Sequence, residues 1–337
     1  MRIILVGFGV VGQSLAKLLV SRSADLYTEY GMKPRIVACV DAKTAIVSPA
    51  GVDLKRLLEN KKETGSVAGK AKGANFDANQ VIENVEAEIV IECTATNLKD
   101  GEPGMSHIIS AMRTGKHVIS VNKGPLALAF PSLLELASYN GVMLRFSGTV
   151  GGGTPILEFA KRCLKGDRIT SFRGILNGTT NYILSLMAEG MSYREALGDA
   201  SKKGYAEADP TLDVEGFDAA AKLVIMANWI MGMKVTLRDV RRSGITEVTE
   251  ADIRRAIKSG SALKLLATCD GKRLEVSPGQ VPNSDPICVN GTLNAVSFSS
   301  EHSGTQTIIG KGAGGMETAS AILRDMIEIR DSVFSNK

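Results

Sequence analysis

A lysine and an aspartate one helical turn apart, at the start of an otherwise apolar helix, are the residues of this chain best suited to move a proton. The segment ASKKGYAEADPTLDVEGFDAAAK gathers Glu207, Asp209, Asp213, Glu215, Asp218 and Lys222 around one proline and two glycines. From Phe217 to Gly232 (FDAAAKLVIMANWIMG) the pattern is alanine-rich and apolar at short intervals, which predicts a helix. On it Glu215, Asp218 and Lys222 share a face. The plain alternative is an exposed ion-pair face, worth a few tenths of a kcal/mol per pair. The residues after Lys222 argue against that, because Leu223, Val224, Ile225, Met226, Trp229, Ile230 and Met231 leave the helix almost no polar side. Charged side chains seldom enter such a helix merely for solubility. A lysine desolvated in a cleft can exchange a proton near neutral pH. Lys222 is therefore the candidate acid/base, with Asp218 its ion-pair partner.

Taken together, Ala200, Gly204, Tyr205, Ala206, Asp209, Pro210, Asp213, Val214, Gly216, Asp218 and Lys222, at these spacings, resemble the signature of homoserine dehydrogenases without a mismatch. The resemblance implies interconversion of L-homoserine and L-aspartate 4-semialdehyde with NAD or NADP, a step of threonine and methionine biosynthesis. In that setting Glu207 is expected to bind the substrate ammonium. Asp213 fits either substrate orientation or the helix N-terminus, and the residues do not separate the two.

The amino terminus must then hold a dinucleotide. Arg2 to Val6 (RIILV) reads as a buried parallel strand and runs into Gly7, Phe8, Gly9, Val10, Val11 and Gly12, followed by a helix over Gln13 to Val20. Strand, G-x-G-x-x-G and helix together make the dinucleotide fingerprint: a tight turn, close approach of pyrophosphate, and close helix–strand packing. The helix start adds free N–H groups and the positive end of its dipole. The next strand, Arg35 to Val40, ends in Asp41, the place for an acceptor from adenosine ribose. Its distance from Gly12 implies an extended first helix or loop through Ser21 to Lys33. Lys43, Lys55, Arg56, Lys61 and Lys62 can equally form a solvated basic face or meet a 2′-phosphate, which leaves NAD and NADP both open.

Alternation continues with a strand at Glu88 to Cys93, a helix at Pro103 to Thr114, a strand at His117 to Val121, a helix at Leu126 to Asn140 and a strand at Val142 to Phe146. Ligands of open α/β sheets bind beyond the carboxyl ends of strands, which places Thr94 and Lys123 at the cofactor edge. The resemblance puts Lys123 beside nicotinamide and substrate as a second catalytic cation. The glycine-rich crossing SGTVGGGTP (Ser147 to Pro155) closes this half. After it are expected a helix near Ile156 to Leu164, a strand at Ile169 to Leu176, and Asn177-Gly178-Thr179-Thr180-Asn181 opening a helix. That turn suits a cap, and its N–H groups, with Gly178 and Thr179, suit a carboxylate. Helices near Tyr193 to Lys203 and Glu250 to Ser259 come next, then strands at Ala262–Cys269, Arg273–Pro278, Ile287–Val289, Leu293–Ser299 and Gln306–Ile309.

The expected architecture is a Rossmann-type domain (1–148), an α+β substrate and dimerisation domain (149–309), and a returning loop and helix (310–337). By resemblance, the last of these covers the cofactor with Gly312. Two departures from the family stand out. Ser147 replaces a glutamate that helps bind a monovalent cation in many members, so a sodium ion would rest on the carbonyls of Val150 and Gly152. Ending at Lys337 leaves no space for a regulatory or kinase domain.

Composition fits a soluble enzyme acting on a small molecule, expected as a cytoplasmic homodimer. Hydrophobic content is 44%, with no apolar run of membrane-spanning length. The +4 net charge is dispersed, which gives no nucleic-acid tract. Cys39, Cys93, Cys163, Cys269 and Cys288 form no C-x-x-C and no disulfide framework. His107, His117 and His302 have no zinc-like spacing. Other residues suggest two rival functions. One is a semialdehyde dehydrogenase using Cys93 as nucleophile; the other is a nucleotide-sensing module without turnover.

Overall fold

Short runs of branched apolar residues, each ending in a polar or glycine turn, build the first half of the chain. The computed structural model describes residues 1–42, 44–69 and 77–335. It divides into two units, Met1–Thr149 with Gly314–Lys337, and Val150–Ala313.

In the first unit, β1 (Arg2–Val6) leads to α1 (Val10–Ser21), α2 (Ser23–Tyr30), β2 (Arg35–Val40), β3 (Ala45–Val47), α3 (Leu54–Thr64), α4 (Ala78–Asn84), β4 (Ile89–Glu92), α5 (Gly104–Arg113), β5 (His117–Ser120), α6 (Lys123–Tyr139) and β6 (Leu144–Arg145). The sheet order is β3-β2-β1-β4-β5-β6, parallel except for β3 on β2. Strand order reverses beside β1, which opens a crevice at the carboxyl ends of β1 and β4. Ile3, Ile4 and Leu5 are fully buried, as expected of a parallel strand covered on both faces. One side of that cover is the C-terminal helix (Gly315–Ser335), whose Ala319, Ile322, Leu323, Met326 and Ile329 join α1's Leu15, Ala16 and Leu19 in one core. The fold is Rossmann-type.

Several boundaries differ from the sequence expectation. The stretch after Ser21 is neither one long helix nor a loop, because Arg22 leaves helical geometry and α2 starts anew. α6 begins at Lys123 rather than Leu126, since the Asn122 side chain accepts from Gly124 N and caps it. Lys43 lies outside the described residues.

The second unit runs α7 (Ile156–Glu158, continued by a π turn over Phe159–Cys163), β7 (Ile169–Ile175), α8 (Gly178–Ala188), α9 (Tyr193–Lys202), α10 (Thr211–Val214), α11 (Phe217–Met231), β8 (Val240–Arg242), α12 (Glu250–Lys258), β9 (Ser261–Cys269), β10 (Leu274–Pro282), β11 (Leu293–Ser300) and β12 (Gly304–Lys311). Its sheet order is β12-β11-β7-β9-β10-β8, antiparallel except for β8 on β10. Ile287 to Val289 is not a strand. Turn bonds from Cys288 N to Asp285 O and Val289 N to Ile287 O fold it as a loop, and Ile287 is buried against Val281 and Ala295. Glu215 does not share the α11 face either. Gly216 has φ +78°, a left-handed conformation that breaks the chain between α10 and α11. Glu215 instead accepts from Thr246 Oγ1 at 2.8 Å.

Candidate active site

The phosphate turn in the first unit is shaped by what a side chain would meet. Gly7 has φ +97°, and a Cβ there would lie 2.6 Å from the Cys93 carbonyl; at Gly12 it would lie 2.4 Å from Gly7 O. Only glycine lets β1, β4 and α1 approach so closely. Gly9 differs: nothing stands within 4 Å of its added Cβ, and the residue is exposed. That open side, next to α1's uncapped N-terminus, fits a pyrophosphate. Phe8 is buried beneath the turn, Val10 is 73% exposed and Val11 half-buried.

Asp41 stands at the end of β2, and its carboxylate is already engaged. Its Oδ2 is 2.8 Å from Lys61 Nζ and accepts from Val67 N at 3.1 Å, while Oδ1 accepts from Thr44 N at 2.8 Å. The side chain is only 3% exposed.

Beyond β4, Thr94 donates through both N and Oγ1 to the fully buried Glu92. Asn122 then donates to Thr94 Oγ1 (3.2 Å) and Ala95 O (3.1 Å), which sets the edge where α6 begins with Lys123. Burial, and secondarily Glu92, pushes the Cys93 thiol well above its ordinary range, so it is not a ready thiolate.

In the second unit the acid/base candidates meet. Lys222 Nζ lies 2.7 Å from Asp218 Oδ2 and donates to Leu176 O at 2.6 Å, with the residue 6% exposed. Asn177, the cap of α8, donates to Asp213 Oδ1 (2.6 Å) and Asp218 Oδ2 (3.0 Å) and so binds three helices at one point. Burial and then the Asp218 charge raise Asp213 above the usual aspartate value, with Asn177, Lys222 and Thr179 pulling the other way. Glu207 and Asp209 are exposed on the loop before α10. That loop is tied to α8 by Thr179 Oγ1 donating to Tyr205 O (2.7 Å) and by an edge-on Tyr182–Tyr205 contact. Gly178 sits tight at the α8 start, its added Cβ 2.7 Å from Thr292 O.

Gly312 is buried against Asn294 and beside Gly152 in the same unit. Ser147, in the first unit, directs its N and Oγ to the buried Asp325. A cation at Val150 and Gly152 would be held by those two carbonyls.

Sequence reasoning did not foresee Asn177 as a bridge between two carboxylates, nor Leu176 O as the second partner of Lys222. The N-cap signal pointed at Asn177, whereas a carbonyl leaves no trace in residue identity.

Comparison with known proteins places the chain among homoserine dehydrogenases. The family model for homoserine dehydrogenase matches residues 155–327, and the one for the homoserine dehydrogenase NAD binding domain matches 7–147. A homoserine dehydrogenase of Methanocaldococcus jannaschii is 43% identical over 334 residues, covering 98% of this chain and 99% of the relative. An NAD(+)-dependent homoserine dehydrogenase of Pseudomonas canavaninivorans is 40% identical over 340 residues, covering 98% and 96%. Among solved structures, a hyperthermophilic archaeal homoserine dehydrogenase in complex with NADPH aligns with TM-score 0.87 at 27% identity, covering 98% of both chains.

Proposed function

This chain belongs to the homoserine dehydrogenase family, NAD(P)-dependent oxidoreductases acting on the CH–OH group of homoserine, and on that premise we propose how its residues divide the chemistry. The observation that carries the proposal is Lys222 Nζ, buried, paired with Asp218 and fixed by a main-chain carbonyl. The dinucleotide, when bound, supplies the hydride acceptor or donor. Lys222 takes the hydroxyl proton as homoserine is oxidised and returns it in reduction. Asp218 stabilises the ammonium that results. Glu207 binds the substrate ammonium, while Asp213 orients substrate and completes the Asn177 bridge. Gly178 and Thr179 offer α8 N–H groups to the substrate carboxylate, the Thr179 hydroxyl being taken by Tyr205 O. Lys123 polarises the carbonyl or orders a water.

Gly7 through Gly12 would cradle the pyrophosphate, Thr94 would stand at the cofactor edge, and Gly312 would cover the cofactor. Asp41 meets a ribose only by sharing bonds it already accepts, and Lys61 beside it offers a cation to a 2′-phosphate. NAD and NADP therefore both suit this end. A homodimer is proposed because β12 is an edge strand carrying Ile309, 47% exposed, which a second copy would cover. The five cysteines are free, which suits a reducing cytoplasm, and threonine and methionine biosynthesis is the proposed context.

Absorbance of reduced nicotinamide tests the reading directly. Homoserine should drive reduction of NAD or NADP by the native protein and not by Lys222→Ala. Cofactor binding without turnover would support a sensing module, and inactivation confined to thiol alkylation would support the Cys93 route.

A further inference from the structure

The carbonyl that fixes Lys222 has a second donor. Leu176 O also accepts from Asn294 Nδ2 at 3.0 Å, and Asn294 is 1% exposed on β11. Its other side-chain atom, Oδ1, is buried with no hydrogen-bond partner among the described residues. A carboxamide half-satisfied inside a protein costs free energy and calls for a reason. The same carboxamide lies directly against Gly312: a Cβ on Gly312 would fall 2.0 Å from Asn294 Nδ2 and 2.3 Å from Oδ1. Asn294 is also paired with Gly310 in the β11–β12 ladder, so its backbone and side chain both hold the strand end that carries this loop.

We propose that Asn294 is a positioning residue that joins the Gly312 loop to the acid/base lysine through the Leu176 carbonyl. This deepens the proposed function and rests on Lys222 being the acid/base. A carbonyl has two lone pairs, and Asn294 and Lys222 share those of Leu176 O. Asn294 therefore holds one side of that oxygen and loosens its grip on Lys222 Nζ. Its contact with Gly312 ties that setting to the place of the loop. No charge is needed for this, which suits asparagine and excludes aspartate at the position.

The test is the pH dependence of kcat for homoserine oxidation in Asn294→Leu and Asn294→Asp, with thermal midpoints and Lys222→Ala as controls. Losing the shared donor should move the acid limb to higher pH by about half to one unit in Asn294→Leu. Asn294→Asp, isosteric with the native side chain, adds a negative charge and should move it further. The cofactor KM should rise several-fold in both. If Asn294→Leu does not fold, Asn294→Ala, which also removes the donor without adding a charge, carries the test. A limb that stays in place or moves down, or a kcat lowered equally at every pH, would overturn the proposal. Near-native kcat in Lys222→Ala would instead remove the reading on which it rests.

Discussion

The ion pairs Lys61–Asp41 at 2.8 Å and Lys222–Asp218 at 2.7 Å are almost equal in length and lie in different units. Their surroundings separate them. Asp41 also accepts from two backbone N–H groups, Thr44 and Val67, so its carboxylate organises the loops after β2. Asp218 accepts instead from the Asn177 side chain, beside a second carboxylate raised by burial. One aspartate is saturated by main chain and serves the scaffold. The other belongs to a polar cluster with an exposed acidic loop nearby, the place where we propose proton transfer. Ion-pair distance alone does not assign a role; the rest of the coordination does.

The sharpest way to break this contrast is Lys222→Ala. Its kcat should fall by roughly two to four orders of magnitude with little change in KM. Glu207→Ala, which removes a ground-state contact, should chiefly raise KM for homoserine. Steady-state kinetics of the two variants would show whether chemistry and binding divide in this way.

Next in size is Asp41→Ala. Removing one member of a largely buried pair should cost roughly 3 kcal/mol of stability, read by denaturant unfolding. Its effect on kcat should be small by comparison.

Asp213→Asn sharpens the other side of the comparison. Because burial raises Asp213 above its ordinary 3.8, the folded protein binds that proton more readily than the unfolded chain. Stability therefore falls as pH rises from 3.8 through the raised value. Asp213→Asn should be more stable than native at neutral pH, lose this part of the pH dependence, and turn over poorly. Unfolding midpoints between about pH 4 and pH 7 would check it.

A further effect concerns another lysine, Lys264, which has no carboxylate partner among the bonds its Nζ makes. It donates to Asn181 Oδ1, Val289 O and Asn290 Oδ1, and burial lowers it from 10.5 to about 8. Between those values the unfolded chain binds more protons, so this group makes stability rise with pH there. Lys264→Met should remove that rise, seen as the native-minus-variant difference in unfolding midpoint from about pH 8 to pH 10.

Much of the fold and part of the site are legible in the sequence because they rest on local rules. β1, the glycine turn and α1 follow from residue type and spacing, and so does the i,i+4 pair on α11. The Ile287–Val289 segment misleads because an apolar triplet is buried equally well as a loop when turn bonds satisfy its backbone. α2 escapes notice because a short break at Arg22 leaves no Gly or Pro to mark it. The pairing of Lys61 with Asp41 is not legible because the two stand twenty residues apart in the chain. Asn294 is silent for the same reason: its partners, Leu176 O and Gly312, are brought to it only by the sheet.

The central claim is most directly tested by measuring kcat and thermal midpoint side by side for Lys222→Met and Lys61→Met, which remove matching charges from the two pairs. Both variants should lower the midpoint, since each removes one member of a largely buried ion pair, but only Lys222→Met should lose nearly all turnover. Equal losses of turnover in both variants would contradict that claim.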